Sequence, residues 1–320
     1  MSGRCHFVTF GGGPGWRDAA RRLAAQAEKS AVFHSVHTFT DEDLQTRVPD
    51  IIPYWPFIAS NHRGFGYWIW KPCLIGAVMD QAEAEDVVFY LDAGFEFMPS
   101  NEAPLRGMVD FAREHGAMIL DYARCPIFNA IFWTKPDVWE APEFADLGVT
   151  CKPRIPLASA GSICMSVTPR NRQFVATWFS LATRYGCHLV DDTPSARSSH
   201  TLFFEHRHDQ SIFSLLKATH HLPTYGSALD YDFAKPAYFR AWPELLHLPF
   251  LALRTRTGHS MIAAESQRDH GFYNMLRGTA HRFIHRLKWR VASRPKGDTE
   301  RIGIAMMRRH RRELEKLALL

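Results

Sequence analysis

Asp92 closes the apolar run Val87–Leu91 in the stretch VVFYLDAG. A carboxylate released at the carboxyl end of a buried strand lies where α/β sheets gather their ligands. One such carboxylate can hold a hard divalent cation that bridges two phosphates, and Glu96, four residues on, is a second oxygen donor. The plain alternative is turn chemistry, because Asp-x-Gly is a common turn sequence. A second group is RGFGYWIWKP, Arg63 to Pro72. Its rings can stack on a base and Arg63 and Lys71 can neutralise phosphates, with Lys71 at the start of a predicted helix where the dipole adds to its pull on an anion. Alternatively Tyr67, Trp68 and Trp70 are core and the cations are surface. A third is EHRHDQSIFSLL, in which Asp209 either caps a helix or, with Gln210, holds an acceptor hydroxyl or acts as base. His206 and His208 alternate with Arg207, but no third ligand at zinc spacing accompanies them.

The glycines of FGGGPGW fit neither nucleotide fingerprint. Trp16 occupies the third glycine of G-x-G-x-x-G, and no G-K-[ST] follows. Glycines after a first strand still allow close backbone approach to a ligand, or simply a tight turn. No G-x-S-x-G exists, so a hydrolase triad has no support.

The elements that must carry these groups read as α/β. CHFVTFGGG is a strand, GWRDAARRLAAQAEKS a helix and AVFHSVHTFT a second strand, an opening that favours a parallel sheet covered by helices. KPCLIGAVMDQAEA is a helix with Pro72 in its first turn. FAREHGAMILDYA is helix then strand, ASAGSICMSVTP a short strand, RNRQFVATWFSLATRYG and DQSIFSLLKATHH helices. Residues 49–66 and 223–260 read as loops, and 265–320 as basic helix.

Composition sets the frame. A chain of 320 residues, 46% hydrophobic and 22% charged, can bury a full core and is neither disordered nor fibrous. Six cysteines without a C-x-x-C pair, and no signal peptide, read as reduced cytosolic thiols. No apolar run is long enough to span a bilayer. From 276 to 320, 13 Lys and Arg stand against 4 Asp and Glu, so a tail of net +9 follows a body of net −4 in a chain of net +5. Leu276, Phe283, Ile284, Leu287 and Val291 fall on one side of that tail with Arg282, Arg286, Lys288 and Arg290 around them. This suits a membrane-surface helix over 276–294, or a helix packed on the body. No nucleic-acid module is present, so nucleic acid is not expected as a partner.

Together, YLDAG, ASAGSICM and HDQS after RGFGYWIWKP resemble the motif order of GT-A glycosyltransferases, and in particular a bacterial glycosyltransferase-like group met near polysaccharide genes. The resemblance covers about 1–260. It implies a GT-A-like α/β domain, residues 1–262, with a mainly parallel twisted sheet flanked by helices, followed by a basic helical extension, 263–320. It implies transfer of a sugar from a nucleotide-diphosphate donor, a UDP-sugar foremost, to a glycan or lipid-linked hydroxyl acceptor. Phe10, Gly11, Gly12 and Gly13 would line the nucleotide site, Arg63 and Lys71 would contact the diphosphate, and Asp92, Ala93 and Gly94 would form the D-x-D segment. Ala160 and Gly161 would flank the sugar, and Asp209 with Gln210 would be catalytic. Asp92 and His259 would hold Mn2+ or Mg2+. Gly94 departs from the pattern by removing the second D-x-D carboxylate, so Arg and Lys in the metal's place is the competing expectation. A cytoplasmic location, peripheral on the inner membrane face, goes with this. The rival readings are a non-catalytic GT-A-like binding protein and a nucleotidyltransferase.

Overall fold

The computed structural model describes residues 3–99, 102–147, 155–196, 203–232 and 247–266. Strand β1 (Cys5–Gly11) pairs in parallel with β2 (Ser35–Thr40) on one side and with β3 (Val87–Leu91) on the other. β6 (Ala158–Ser166) runs antiparallel between β3 and β5 (Ala117–Asp121), and the two-residue β7 (Gly226–Ser227) lies parallel beside β5. The order is β2-β1-β3-β6-β5-β7, with only β6 reversed, so the mainly parallel α/β sheet expected from sequence is what forms. A separate ribbon pairs β4 (Glu96–Phe97) with β8 (Phe250–Leu251).

Period-two alternation explains the layering. From β1, Phe7 turns to Phe33 and Phe97, whereas Phe10 turns to Phe65 and Trp70. Both faces are covered, which is why all five residues of β3 are buried and its sequence is a continuous apolar run. Helix α1 (Pro14–Glu28) packs on β1 and β2, with Ala19, Ala20, Leu23 and Ala27 fully buried. Helix α2 (Trp70–Gln81) packs on β1, β3 and on α4 (Pro169–Cys187); α3 (Glu102–His115) lies on β5 and β6. Helix α4 opens as its sequence indicates, with Pro169 in its first turn and the Thr168 hydroxyl accepting from Asn171 N–H at 3.2 Å. Helix α5 (His208–Thr219) packs on β6 and α4.

Three local expectations change, the first being the loop read over 223–260, which holds β7, β8 and a short helix, Ala228–Asp232. The loop predicted over 49–66 contains a 3₁₀ turn (Pro49–Tyr54) and a short helix (Trp55–Ser60). Helix α5 begins one residue before Asp209, and Arg207 rather than Asp209 is its N-cap residue, because the Asp209 side chain is drawn to Lys71. No helix among the described residues is long and apolar enough to cross a membrane. The basic segment 276–294 lies outside the described residues.

Candidate functional site

The carboxyl ends of β1, β2 and β3 point the same way, and Asp92 emerges there, 36% exposed at its side chain. Its N–H donates to Gly161 O (2.9 Å). Residues 90 and 92 share a side of the strand, so the Tyr90 hydroxyl donates to Asp92 Oδ1 at 2.6 Å. Lys71 Nζ stands 3.3 Å from the same oxygen and donates to Asp209 Oδ2 at 2.7 Å. Lys71 and Asp209 are only 2% and 5% exposed. The result is a buried ammonium shared by two carboxylates, one closed in and one facing solvent.

Two acids sharing one cation explain the titration of both buried members. Burial pushes the Asp209 carboxyl up to about 6, Lys71 pulls it back, and Asp92 adds to the rise. At Lys71 burial lowers the ammonium, but Asp209 and Asp92 outweigh it and hold it above its ordinary value. Burial, then the Asp92 charge, pushes the Tyr90 phenol well above its usual range, so it stays a donor. An acid raised in the fold contributes stability that is complete below its unfolded value, 3.8, and is lost as pH rises through about 6. Asp209→Asn is therefore expected to flatten the fall in Tm between pH 4 and 7 relative to wild type. Parallel Tm–pH curves for the two proteins would refute that assignment.

Several sequence candidates have other partners. Lys71 is spent on the protein's own carboxylates, because it is buried in α2 where, among the described residues, Asp209 and Asp92 are the carboxylates that reach it. Arg63 donates to Asp192 (3.0 Å) and Glu205 (3.0 Å), tying its loop to the segment before α5. Phe10 is core, 4% exposed, its ring centroid 4.0 Å from that of Trp70. Gly11 is demanded by packing, since a Cβ would lie 2.0 Å from Trp16 O, and Gly12 adjoins the Phe65 ring. Ala93 offers its carbonyl to Arg22 (2.9 Å), and Ala160 is buried in β6. Gln210 donates to Ala158 O at 2.8 Å, fixing the start of α5 to β6.

Gly161 does belong with Asp92. A Cβ there would meet Asp92 Oδ2 at 2.7 Å and the Phe95 ring at 3.2 Å. Gly161→Ala is thus expected to swing the Asp92 carboxylate away from Tyr90. The Tyr90–Asp92 hydrogen bond should be lost while Tm moves by less than a few degrees, read from a crystal structure of the variant and from melting; a carboxylate still within 2.6 Å of the Tyr90 hydroxyl would contradict the contact.

The RGFGYW segment is a left-handed helical turn, which the sequence reading missed. Gly64, Phe65, Gly66, Tyr67 and Trp68 all have positive φ, between 52° and 83°. Left-handed backbone costs roughly 1–2 kcal/mol per non-glycine residue. Gly64 and Gly66 are needed because a Cβ would lie 2.4 Å from the Trp68 ring and 2.7 Å from Ile58 respectively. Tyr67 N–H to Arg63 O (2.8 Å) and Trp68 N–H to Gly64 O (3.1 Å) close the turn. The turn presses Tyr67 and Trp68 against His208, itself at φ 52°. Glycines two apart among bulky rings were the available signal.

The metal implied by the GT-A resemblance does not fit these residues. Asp92 Oδ1 is taken by Tyr90 and Lys71. Gly94 supplies no second carboxylate, and a Cβ there would press on the Arg254 main chain, 3.0 Å from its Cα. Glu96 is fully buried and bonded to Thr255, Ser260, Met261 and Ile262. His259 is exposed on a loop where its main chain bonds to Thr257 Oγ1. Among the described residues no three His, Cys, Asp or Glu side chains come together as metal ligands.

No protein-family model and no curated protein matches the chain. Among solved structures it is similar to apo mouse xyloside xylosyltransferase 1, at 11% identity and TM-score 0.41, over 78% of this chain and 97% of that one. It is also similar to a glycosyltransferase involved in glycosylation of the major capsid of PBCV-1, at 12% identity and TM-score 0.39, over 82% and 97%. A third is the apo bifunctional glycosyltransferase WbbM, at 8% identity and TM-score 0.39, over 78% of this chain and 46% of that one.

Proposed function

We propose that the chain is a GT-A-like glycosyltransferase that moves a sugar from a nucleotide-diphosphate donor, a UDP-sugar foremost, to a hydroxyl of a glycan or envelope-polysaccharide acceptor. The observation that carries this reading is Asp92: a carboxylate at the carboxyl end of β3, with one oxygen held by Tyr90 and Lys71 and the other beside a glycine. Ligands of α/β sheets bind at that edge, and a carboxylate with one free oxygen there can orient sugar hydroxyls. Lys71 stands 3.3 Å from Asp92 Oδ1, and Asp209, buried behind Lys71, shares the same ammonium. Gln210 positions the start of α5. In the reaction the acceptor hydroxyl oxygen bonds to the anomeric carbon while the bond to the diphosphate breaks, the electron pair leaving with the diphosphate and the hydroxyl proton passing to the departing phosphate or to solvent. Positive groups at that diphosphate lower the barrier.

The test is a thermal-shift panel of UDP, GDP, CDP, ADP and UDP-sugars, with and without manganese, followed by transfer assays with the ligand found. A ligand that binds only the native state raises Tm. Asp92→Ala is expected to abolish the shift from the nucleotide sugar and to lower transfer by on the order of 10²–10³. A wild-type rate in that variant, or no shift with any nucleotide, would reject the proposal.

A further inference from the structure

The strands whose carboxyl ends form the Asp92 edge hold a second cluster at their amino ends. His6 of β1 and Ser35 of β2 are register partners, so their side chains share one face of the sheet, and His37, two residues on, joins them. His6 Nδ1 lies 2.7 Å from Ser35 Oγ, and Ser35 Oγ lies 2.9 Å from His37 Nε2. His6 Nε2 lies 2.9 Å from Asp86 Oδ2, in the turn before β3. Asp86 also accepts from Arg4 N–H at 2.6 Å and from Glu83 N–H at 3.0 Å. Its side chain is 5% exposed and that of His6 13%, whereas Ser35 and His37 are half-buried on the edge strand.

Donor and acceptor accounting fixes the protons in this chain of groups. Burial raises the Asp86 carboxyl, but the bonds from His6, Arg4 and Glu83 outweigh it and hold it below its ordinary value. Asp86 is therefore acceptor only, and His6 Nε2 must carry a hydrogen. With His6 neutral, its Nδ1 is a bare acceptor, so the Ser35 hydroxyl donates to it. That spends the one proton of Ser35, and the contact with His37 is a hydrogen bond only if His37 Nε2 donates. A proton added at His6, beside Asp86, reverses the order. His6 Nδ1 then donates to Ser35, Ser35 turns its proton to His37 Nε2, and His37 moves its own hydrogen to Nδ1. The first proton is taken up with no hydrogen bond lost.

A second proton has no such place. With His37 charged, Ser35 faces a donor on either side and its hydroxyl hydrogen loses its acceptor. Two imidazoliums with ring centroids 5.9 Å apart would share the single Asp86 carboxylate. Arg47, on the short helix Leu44–Arg47, adds a cation beside them; its Nη1 donates to Thr38 O at 2.6 Å and to Asp43 Oδ2 at 2.8 Å. Burial lowers the His37 imidazole below its ordinary 6.5, and His6 and Arg47 lower it further. At the same end of the sheet, exposed His34 accepts from Cys5 N–H at Nδ1 (3.1 Å), and Arg113 of α3 donates to Gly3 O at 2.6 Å. Neither brings a second anion. An imidazole lowered in the fold withdraws stability as pH falls through 6.5 towards its folded value.

We infer that Asp86, His6, Ser35 and His37 form an acid-operated latch on β2, which stores one proton and, on the second, releases the amino end of that strand from β1. The latch and Asp92 lie at opposite ends of the same strands, so the latch stands whether or not the chain transfers a sugar.

The experiment is NMR of the full chain, with histidine labelled by nitrogen-15, between pH 8 and pH 5. Long-range imidazole correlations report the tautomers, and hydrogen exchange corrected for intrinsic rates reports the protection of β2. The proteins are wild type, Ser35→Ala, His37→Gln and His34→Asn; the His37 signal is the one lost in His37→Gln. In wild type His37 is expected to carry its hydrogen on Nε2 at pH 8 and to move it to Nδ1 before it gains a charge. Ser35→Ala should abolish that move. Protection over β2 should fall at least fivefold from pH 7 to pH 5 in wild type and in His34→Asn. In His37→Gln, whose amide still donates to Ser35 and takes no proton, it should fall less than twofold. A His37 that keeps one tautomer until it is charged would overturn the relay. Protection indifferent to pH, or an equal fall in His37→Gln, would overturn the latch, as would a pH dependence that disappears in His34→Asn.

Discussion

Lys71→Met is expected to destabilise the protein by about 3–5 kcal/mol, because it leaves Asp209 buried beside Asp92 with no cation between them. In a domain of this size that corresponds to a fall in Tm on the order of 10 °C. The cause is the orphaned charge and not the intrinsic worth of the ion pair, since desolvation consumes much of a buried pair's Coulombic gain. Lys71→Met combined with Asp209→Leu should therefore recover most of the lost stability. The double variant should still bind donor poorly, because Asp92 has lost one of the two groups that hold its Oδ1. Urea melts of the two single variants and the double variant decide it. A Lys71→Met protein as stable as wild type, or a double variant no better than the single, would show that the trio does not carry a shared buried charge.

The second large effect is at Glu96, whose carboxylate is fully buried and gathers the Thr255 and Ser260 hydroxyls and the main-chain N–H groups of Met261 (3.0 Å) and Ile262 (3.4 Å). Arg22 lies 3.7 Å away, likewise buried, and itself holds the carbonyls of Ala93 and Phe95. Hydrogen bonds to a charged acceptor contribute about 1.5–3 kcal/mol each, with losses that do not add. Glu96→Ala is expected to cost roughly 3–5 kcal/mol, as removal of one member of a buried pair does. Glu96→Gln keeps the shape and one acceptor, and should cost roughly half as much. The effect is local in origin, so hydrogen exchange at Met261 and Ile262 should accelerate far more than in β3. Uniform acceleration across the sheet would instead mean that Glu96 is merely part of the general core.

Much of the fold was legible because it is written in local pattern. VVFYL is a strand and is buried throughout, as an unbroken apolar run between two helical layers must be. The helix over RNRQFVATWFSLATRYG was legible from its period, although it starts one residue earlier, at Pro169, in the segment read as strand. RGFGYWIWKP was conspicuous but its geometry was not, since a run of left-handed residues has no periodic signature and its strain is offset by contacts from Ile58 and His208. Within the site, Asp92, Asp209 and Lys71 were singled out from sequence, and they do meet. Their bonding was not foreseen: Lys71 and Asp209 lie 138 positions apart, and nothing in either segment says that one neutralises the other. Glu96 reads in sequence as an assisting ligand, whereas in the fold it is a latch bonded to Thr255, Ser260, Met261 and Ile262.

The sequence by itself determined the class of fold, the strand end from which Asp92 emerges, and the absence of a second D-x-D acid, since residue 94 is glycine. Only the tertiary structure decided which cation each carboxylate keeps. The physical reason is that side-chain periodicity and turn chemistry act over a few residues. The partner of a buried charge is chosen by desolvation, which acts on whichever groups the completed fold encloses together.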